Sequence, residues 1–325
     1  MAVSVLERTR ERILGEERLV AAHIREGRFQ RSLAIVAGLA GLLSGLEVAY
    51  EHYRGSYSQQ VMYTPVLLSP LLLVSGIGAA FSRRAARTLL PLVSILTILD
   101  GCIGFIFHIR GIARKPGGWR IPVSNLIMGP PLFAPLLFGL SGYLGLVASF
   151  LRREDDPEVE AGIAGSISAT GPGSAGLLPG LGRIRGDSPA QHIREGRFQK
   201  NIAFVAGVSA IFSGFESLYS HYQNDFAYRK LQLSPIVLAA ALGTTGIGAV
   251  WSRTIARTVL PVVSLAAIVD GSIGFGFHAR GVIRMPGGLG LPLYNVIYGP
   301  PIFAPLLFAA SGFMGVLASL LRRAD

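Results

Sequence analysis

The same series of sequence motifs occurs twice in the chain, and this duplication constrains its fold more than any other feature. Residues 23–153 and residues 192–323 both open with HIREGRFQ, and both close with a GPPxFAPLLF motif followed by a final Arg-Arg pair. The offset between them is 169 residues, and it becomes 170 after a one-residue insertion. A repeat of this length predicts two equivalent structural units.

Each copy holds four apolar runs of about 20 residues, long enough to cross ~30 Å of hydrocarbon as a helix. The chain is 50% hydrophobic and only 15% charged, against about 25% charge in a soluble domain. The predicted spans are residues 32–53, 62–82, 88–110, 127–151, 201–222, 233–252, 258–280 and 297–321. The sequence therefore predicts an all-α integral membrane protein with eight transmembrane helices in two four-helix repeats.

The predicted organisation has four parts. Residues 1–30 form a charged cytoplasmic segment, and residues 31–153 form the first repeat. Residues 154–191 begin acidic and continue rich in Gly, Ser and Pro, which is typical of a flexible linker. Residues 192–325 form the second repeat.

The net charge of +11 follows topology and does not indicate nucleic-acid binding. On one side of the predicted spans lie 21 of the 30 Lys and Arg residues. The positive-inside rule then places both termini and the linker in the cytoplasm of a bacterial cell, with the chain multi-pass in the inner membrane. Four spans per repeat is an even number, so we expect the repeats to be parallel, related by a pseudo-twofold axis along the membrane normal.

The HIREGRFQ segments directly precede the first span of each repeat. Such a segment is typical of an interfacial anchor, with arginines at the headgroups and Phe29 or Phe198 in lipid. The alternative is a docking site for a cytoplasmic partner, a phosphate or a lipid headgroup.

All six histidines fall into matched pairs, and two of the pairs indicate a cofactor site. His52 and His108 end spans one and three, which run in the same direction, and His221 and His278 repeat them. Helices one and three are diagonal in an up-down bundle, so their side chains can converge on its axis. Two imidazoles at equal depth are what a b-type haem requires.

Two further features fit a haem. Gly104 lies one turn below His108 and Gly45 two turns below His52, where missing side chains would leave room for a flat macrocycle. Arg110 and Arg280 lie two residues beyond the span-three and span-seven histidines, where propionates would need cations.

Acidic residues at matching positions within the predicted spans, Glu47 with Glu216 and Asp100 with Asp270, allow other interpretations of the site. A carboxylate in hydrocarbon costs at least ~2.5 kcal/mol, and is a functional candidate by default. The acids could relay protons to a redox cofactor, bind a transported cation or proton, complete a transition-metal site, or only fix helix packing. The metal site would use His52, His108, Glu47 and Asp100 in the first repeat, and His221, His278, Glu216 and Asp270 in the second.

The sequence carries no nucleophile triad, phosphate loop or cysteine cluster, so we assign no catalytic residue and expect at most a non-catalytic subunit of an oxidoreductase complex. The first hypothesis is an electron-transfer subunit that contacts lipid and protein partners, with haem b or a metal in each repeat near the non-cytoplasmic side. The alternatives are a proton- or cation-coupled transporter or channel, and a membrane anchor for partner subunits.

Overall fold

A computed structural model describes residues 15–153 and 188–324 of the chain. Over these residues the protein is helical, with no β-strand. The predicted linker lies outside the described residues except at its end, as does the first half of the predicted N-terminal segment.

In the described part of the chain, eight main helices form the two repeats. Those of the first repeat are α1 (Gln30–Arg54), α2 (Thr64–Phe81), α3 (Leu89–Ala113) and α4 (Ala134–Phe150). Those of the second are α5 (Gln199–Gln223), α6 (Arg229–Trp251), α7 (Val259–Arg284) and α8 (Ala304–Leu320). Within residues 15–153 and 188–324, six apolar helical stretches, one for each of α1–α3 and α5–α7, are long enough to cross a membrane, so the chain is a multi-pass membrane protein.

The fourth helix of each repeat is shorter than the sequence predicted. In place of one span over 127–151, a short helix (Pro122–Ile127) is followed by a non-helical segment and then by α4. The second repeat has the same break between Pro292–Tyr298 and α8. The Gly-Pro-Pro at each break explains it, because proline cannot donate a helical hydrogen bond and disfavours helix in the residue before it. With 17 residues, α4 and α8 are only about 26 Å long.

Each repeat is a four-helix bundle. In the first repeat α1 packs on α2 and α4, while α3 packs on the same two helices from the other side. The second repeat has the same pairings. Helices α1 and α3 are therefore diagonal, as predicted, and so are α5 and α7.

Small residues allow close packing within the bundles. A Cβ on Gly101 of α3 would lie 2.6 Å from the carbonyl oxygen of Pro135 in α4, and Gly271 has the same relation to Pro305 at 2.5 Å. Such approaches exclude any side chain. The repeats meet through α1 with α8 and through α5 with α4.

The arginine that ends each repeat closes its bundle. Arg153 is 1% exposed, and its guanidinium donates to the Gln30 side chain at 3.1 Å and to the carbonyl of Ala79 near the end of α2. Arg323 likewise donates to Ala249 O at 3.0 Å in α6. These contacts satisfy carbonyls that have no partner at a helix C-terminus.

Candidate functional site

The first repeat holds two histidines in fixed orientations. His52, in the last turns of α1, has its Nδ1 atom 2.7 Å from Met62 O, and His108 in α3 has its Nδ1 2.5 Å from Pro131 O. A carbonyl oxygen can only accept, so each Nδ1 carries the hydrogen. In the neutral imidazole this leaves the Nε2 lone pair of both rings available to a ligand.

The second repeat reproduces this arrangement. His221 Nδ1 lies 3.0 Å from Gln232 O, and His278 Nδ1 lies 2.5 Å from Pro301 O. An aromatic ring also packs edge-on against the histidine of the first helix in each repeat, Tyr57 on His52 and Phe226 on His221. All four predicted ligands are therefore oriented by backbone carbonyls at matching positions.

The two histidines of each repeat lie on different helices of the bundle. His52 and His108 stand in the last two turns of α1 and α3, and His221 and His278 in those of α5 and α7. These helices are diagonal in each bundle, so the structure places both histidines of a repeat at the same end of its bundle. We call this end of the molecule the histidine face, defined by these four residues.

Asp100 lies near one histidine of the first repeat. The Thr64 hydroxyl at the start of α2 donates to the Asp100 carboxylate, and His52 is its electrostatic neighbour. Asp270 in α7 has Ser234 as the corresponding neighbour. The first repeat thus places a carboxyl, a hydroxyl and one imidazole near one another within apolar helices.

Glu47 and Glu216 are directed at the other repeat instead. Glu47 Oε2 accepts from the backbone N–H of Phe303 at 2.9 Å, and Glu216 Oε1 accepts from Phe133 N–H at 2.5 Å. Each glutamate caps the N-terminus of the opposite repeat's last helix, where helix amides lack partners and favour negative charge.

The four-residue metal sites predicted from the sequence are accordingly not assembled. Glu47 and His52 are five residues apart, or ~140° around the helix, and their described contacts are with different helices. Within residues 15–153 and 188–324, no three His, Cys, Asp or Glu side chains come together as a metal site.

The break before α4 links the two repeats, and sequence reasoning missed its role. Pro131 O accepts from His108 of its own repeat, whereas Leu132 N–H donates to the Tyr219 hydroxyl of the other repeat at 3.1 Å. The signal lay in the repeated Gly-Pro-Pro. A helix break among apolar helices frees amides and carbonyls that side chains must satisfy where water is absent.

The glycines near the histidines do not open a slot for a flat cofactor, contrary to the prediction. A Cβ on Gly104 would lie 2.9 Å from Pro135 Cβ, and Gly45 approaches Ser69 of α2. Gly274 meets Pro305 in the same way. These glycines serve helix packing. Arg110 and Arg280, the predicted propionate partners, are exposed at the histidine face.

Compared with models of protein families, with curated proteins and with solved structures, the chain shows no significant similarity to any of them.

Proposed function

We propose that the chain is an electron-transfer subunit of a bacterial inner-membrane redox complex, with a bis-histidine b-type haem in each repeat. The observation that supports this most is the orientation of the histidines His52, His108, His221 and His278, whose Nδ1 atoms all contact backbone carbonyls. Metal-ligating histidines almost always donate their second ring N–H in this way, which fixes the ring and raises the basicity of the ligating nitrogen.

Two protein ligands per repeat suit haem better than a bare transition-metal ion, which takes three or four protein ligands. A bound haem would supply one-electron chemistry. His52 and His108 would hold it through Nε2, and the carbonyls of Met62 and Pro131 would keep both rings in position. The glycines add no support, so the proposal rests on the histidines.

Asp100 and Asp270 would handle protons beside this site. Asp100 already accepts from the Thr64 hydroxyl and neighbours His52, so a proton can be held at its carboxyl when charge on the site changes. Glu47 and Glu216 would act as helix caps and not as relays, because their carboxylates bind backbone amides.

The proposed topology has eight spans in two parallel repeats, with α4 and α8 entering the membrane as short helices. Non-helical backbone is tolerated at membrane depth only where protein or water satisfies it. The break before α4 meets this condition through His108, Tyr219 and Glu216. The arginine distribution supports cytoplasmic termini.

A dithionite-reduced minus oxidised absorption spectrum of the purified chain tests the cofactor. We expect a b-type α-band that decreases in His52→Ala and His108→Ala. His23→Ala is the matched control, since His23 precedes the first span, and should leave the band unchanged. A flat spectrum of a folded, haem-supplied protein would contradict the proposal.

A second candidate function is proton or cation transport through the repeats. The cluster of Asp100, Thr64 and His52 favours it, because a carboxyl and an imidazole within apolar helices form a proton or cation site without any cofactor. Flux into liposomes would distinguish the two functions. Asp100→Asn and Asp270→Asn should abolish it if the chain is a transporter, and the protein would be colourless.

A further inference from the structure

The two identical HIREGRFQ segments contact each other at the end of the molecule where α1 and α5 begin. Gly27 and Gly196 both have positive φ, 71° and 68°. A Cβ on Gly27 would lie 2.5 Å from Arg194 O, and one on Gly196 would lie 2.5 Å from Arg25 O. The two backbones therefore touch in a self-matching contact, which accounts for the glycines but not for the arginine side chains around them.

Arginines concentrate at this contact. The chain leaving α4 joins it through Arg152 N–H to Gly27 O at 2.9 Å, and the chain leaving α8 through Arg322 N–H to Gly196 O at 2.9 Å. The arginine cluster comprises Arg25, Arg28, Arg152, Arg194, Arg197 and Arg322. Within the two segments, four arginines stand against only two acids, Glu26 and Glu195.

Part of the cluster lacks acceptors. The Nε atoms of Arg28 and Arg152 are buried, and neither has a hydrogen-bond partner among the described residues. The terminal Nη2 atom of Arg28 does pair with Glu26 Oε2, at 2.5 Å. A buried donor without an acceptor costs about 1–3 kcal/mol, and more when it is charged. These two donors indicate an anion that the described residues do not supply.

The arginine cluster also affects the pKa of Glu195, an acid within the second HIREGRFQ segment. The pKa of Glu195 lies below its ordinary value, because Gln191 donates a hydrogen bond to its carboxylate and because Arg197 and Arg152 lie nearby. An anion is therefore stabilised at this position.

A groove between the repeats begins next to the cluster. It is lined by Tyr143, Lys200, Asn201, Phe204, Val205 and Val250. Lys200 and Asn201 directly follow the second HIREGRFQ segment, while the remaining lining is mainly apolar and comes from α4, α5 and α6. Positive charge at the helix ends above an apolar groove matches a phosphate headgroup with its acyl chain.

We propose that the arginine cluster and this groove bind an anionic phospholipid, with the phosphate group on the guanidinium groups and an acyl chain between the repeats. Guanidinium groups bind phosphate oxygens through strong, charge-assisted hydrogen bonds. Basic pockets between membrane helices bind anionic headgroups in this way. The lipid would join the two repeats at the face opposite the histidines, whatever the histidines bind.

The test compares lipid binding to the full chain in phosphatidylcholine nanodiscs with and without phosphatidylglycerol. Native mass spectrometry measures the retained lipid, and thermal unfolding measures the stabilisation. The variant Arg28→Gln with Arg152→Gln should retain phosphatidylglycerol at least about tenfold more weakly, as expected for loss of charge-assisted hydrogen bonds. The matched control, Arg84→Gln with Arg257→Gln, removes the same charge from two exposed arginines elsewhere and should bind as the wild type does.

Three results would overturn the proposal. The first is equal loss in both double variants, which would indicate diffuse attraction. The second is equal retention of phosphatidylcholine and phosphatidylglycerol by the wild type. The third is stabilisation by millimolar inorganic phosphate without any effect of phosphatidylglycerol, which would assign the cluster to a soluble anion. If the double variant does not fold, Arg152→Gln alone replaces it.

Discussion

The breaks before α4 and α8 share their sequence pattern, yet the opposite repeats hold them unequally. At the first break, two successive amides are bound across the interface. Leu132 N–H donates to the Tyr219 hydroxyl at 3.1 Å, and Phe133 N–H donates to Glu216 Oε1 at 2.5 Å. The segment that orients His108 is therefore fixed at two consecutive residues.

The second break is held less completely. Phe303 N–H donates to Glu47 Oε2 at 2.9 Å. The other carboxyl oxygen of Glu47 and the Tyr50 hydroxyl are buried. Neither makes a hydrogen bond of normal geometry to a described residue. The same pair of side chains thus makes two hydrogen bonds of normal geometry across the interface in one direction and one in the other, although the Tyr50 hydroxyl also lies beside the Ile302 amide.

Aromatic packing increases this difference. Phe133 stacks on Phe212 of α5 with ring centres 4.4 Å apart, and Phe215 lies at 5.8 Å. The corresponding positions in α1 are Leu43 and Leu46. Both copies keep the glutamate cap, but only the first break has these two aromatic contacts among the described residues. We infer that the His108 site is held more rigidly than its counterpart.

The largest expected difference comes from removing the caps. Glu216→Ala leaves the Phe133 amide buried without an acceptor, and should lower the free energy of unfolding by about 3 kcal/mol. Glu47→Ala removes a weaker contact together with a partly unsatisfied carboxyl, and should cost about 1 kcal/mol. Unfolding titrations in detergent measure both, and equal losses would show that the caps are equivalent.

A double-mutant cycle tests the aromatic contribution. Phe133→Leu combined with Phe212→Leu should reveal a coupling of about 1 kcal/mol, typical of a stacked pair. The matched cycle on Phe303 and Leu43, with each changed to Ala, should give a smaller coupling. A larger coupling at the second break would reverse the proposed order of rigidity.

Removing the hydroxyl should lower stability at Tyr219 but not at Tyr50. Tyr219→Phe removes the acceptor of Leu132 N–H and should cost about 1 kcal/mol. Tyr50→Phe removes a buried hydroxyl that lacks a well-formed hydrogen bond, so it should be neutral or slightly stabilising. Midpoints of thermal unfolding are sufficient to compare them. A loss in Tyr50→Phe as large as that in Tyr219→Phe would mean that its hydroxyl is bound after all.

The smallest effect is expected from Glu216→Gln and Glu47→Gln. An amide oxygen still accepts from the helix amide, so stability should change by no more than about 0.5 kcal/mol. Electron transfer or flux should also be kept, because a cap does not need a titrating proton. Complete loss of activity in a stable Gln variant would instead make these carboxyls proton relays.

The sequence predicted the features that depend on periodicity along one helix. Long apolar runs located α1–α3 and α5–α7, and the spacing of His52 and His108 predicted their common end on diagonal helices. The partners of Glu47 and Glu216 could not be predicted in this way, because each lies in the other repeat. The prediction that Gly45 and Gly104 leave room for a macrocycle failed for a related reason. The absence of a side chain does not indicate whether a ligand or a neighbouring helix fills the space.

The most direct test of the central proposal is the haem and metal content of the purified, haem-supplied chain. We expect two haems per chain, and one in either His108→Ala or His278→Ala, since each variant removes one ligand from one repeat. Unchanged content in these variants, or neither haem nor metal in a folded wild-type protein, would contradict a bis-histidine redox centre in each repeat.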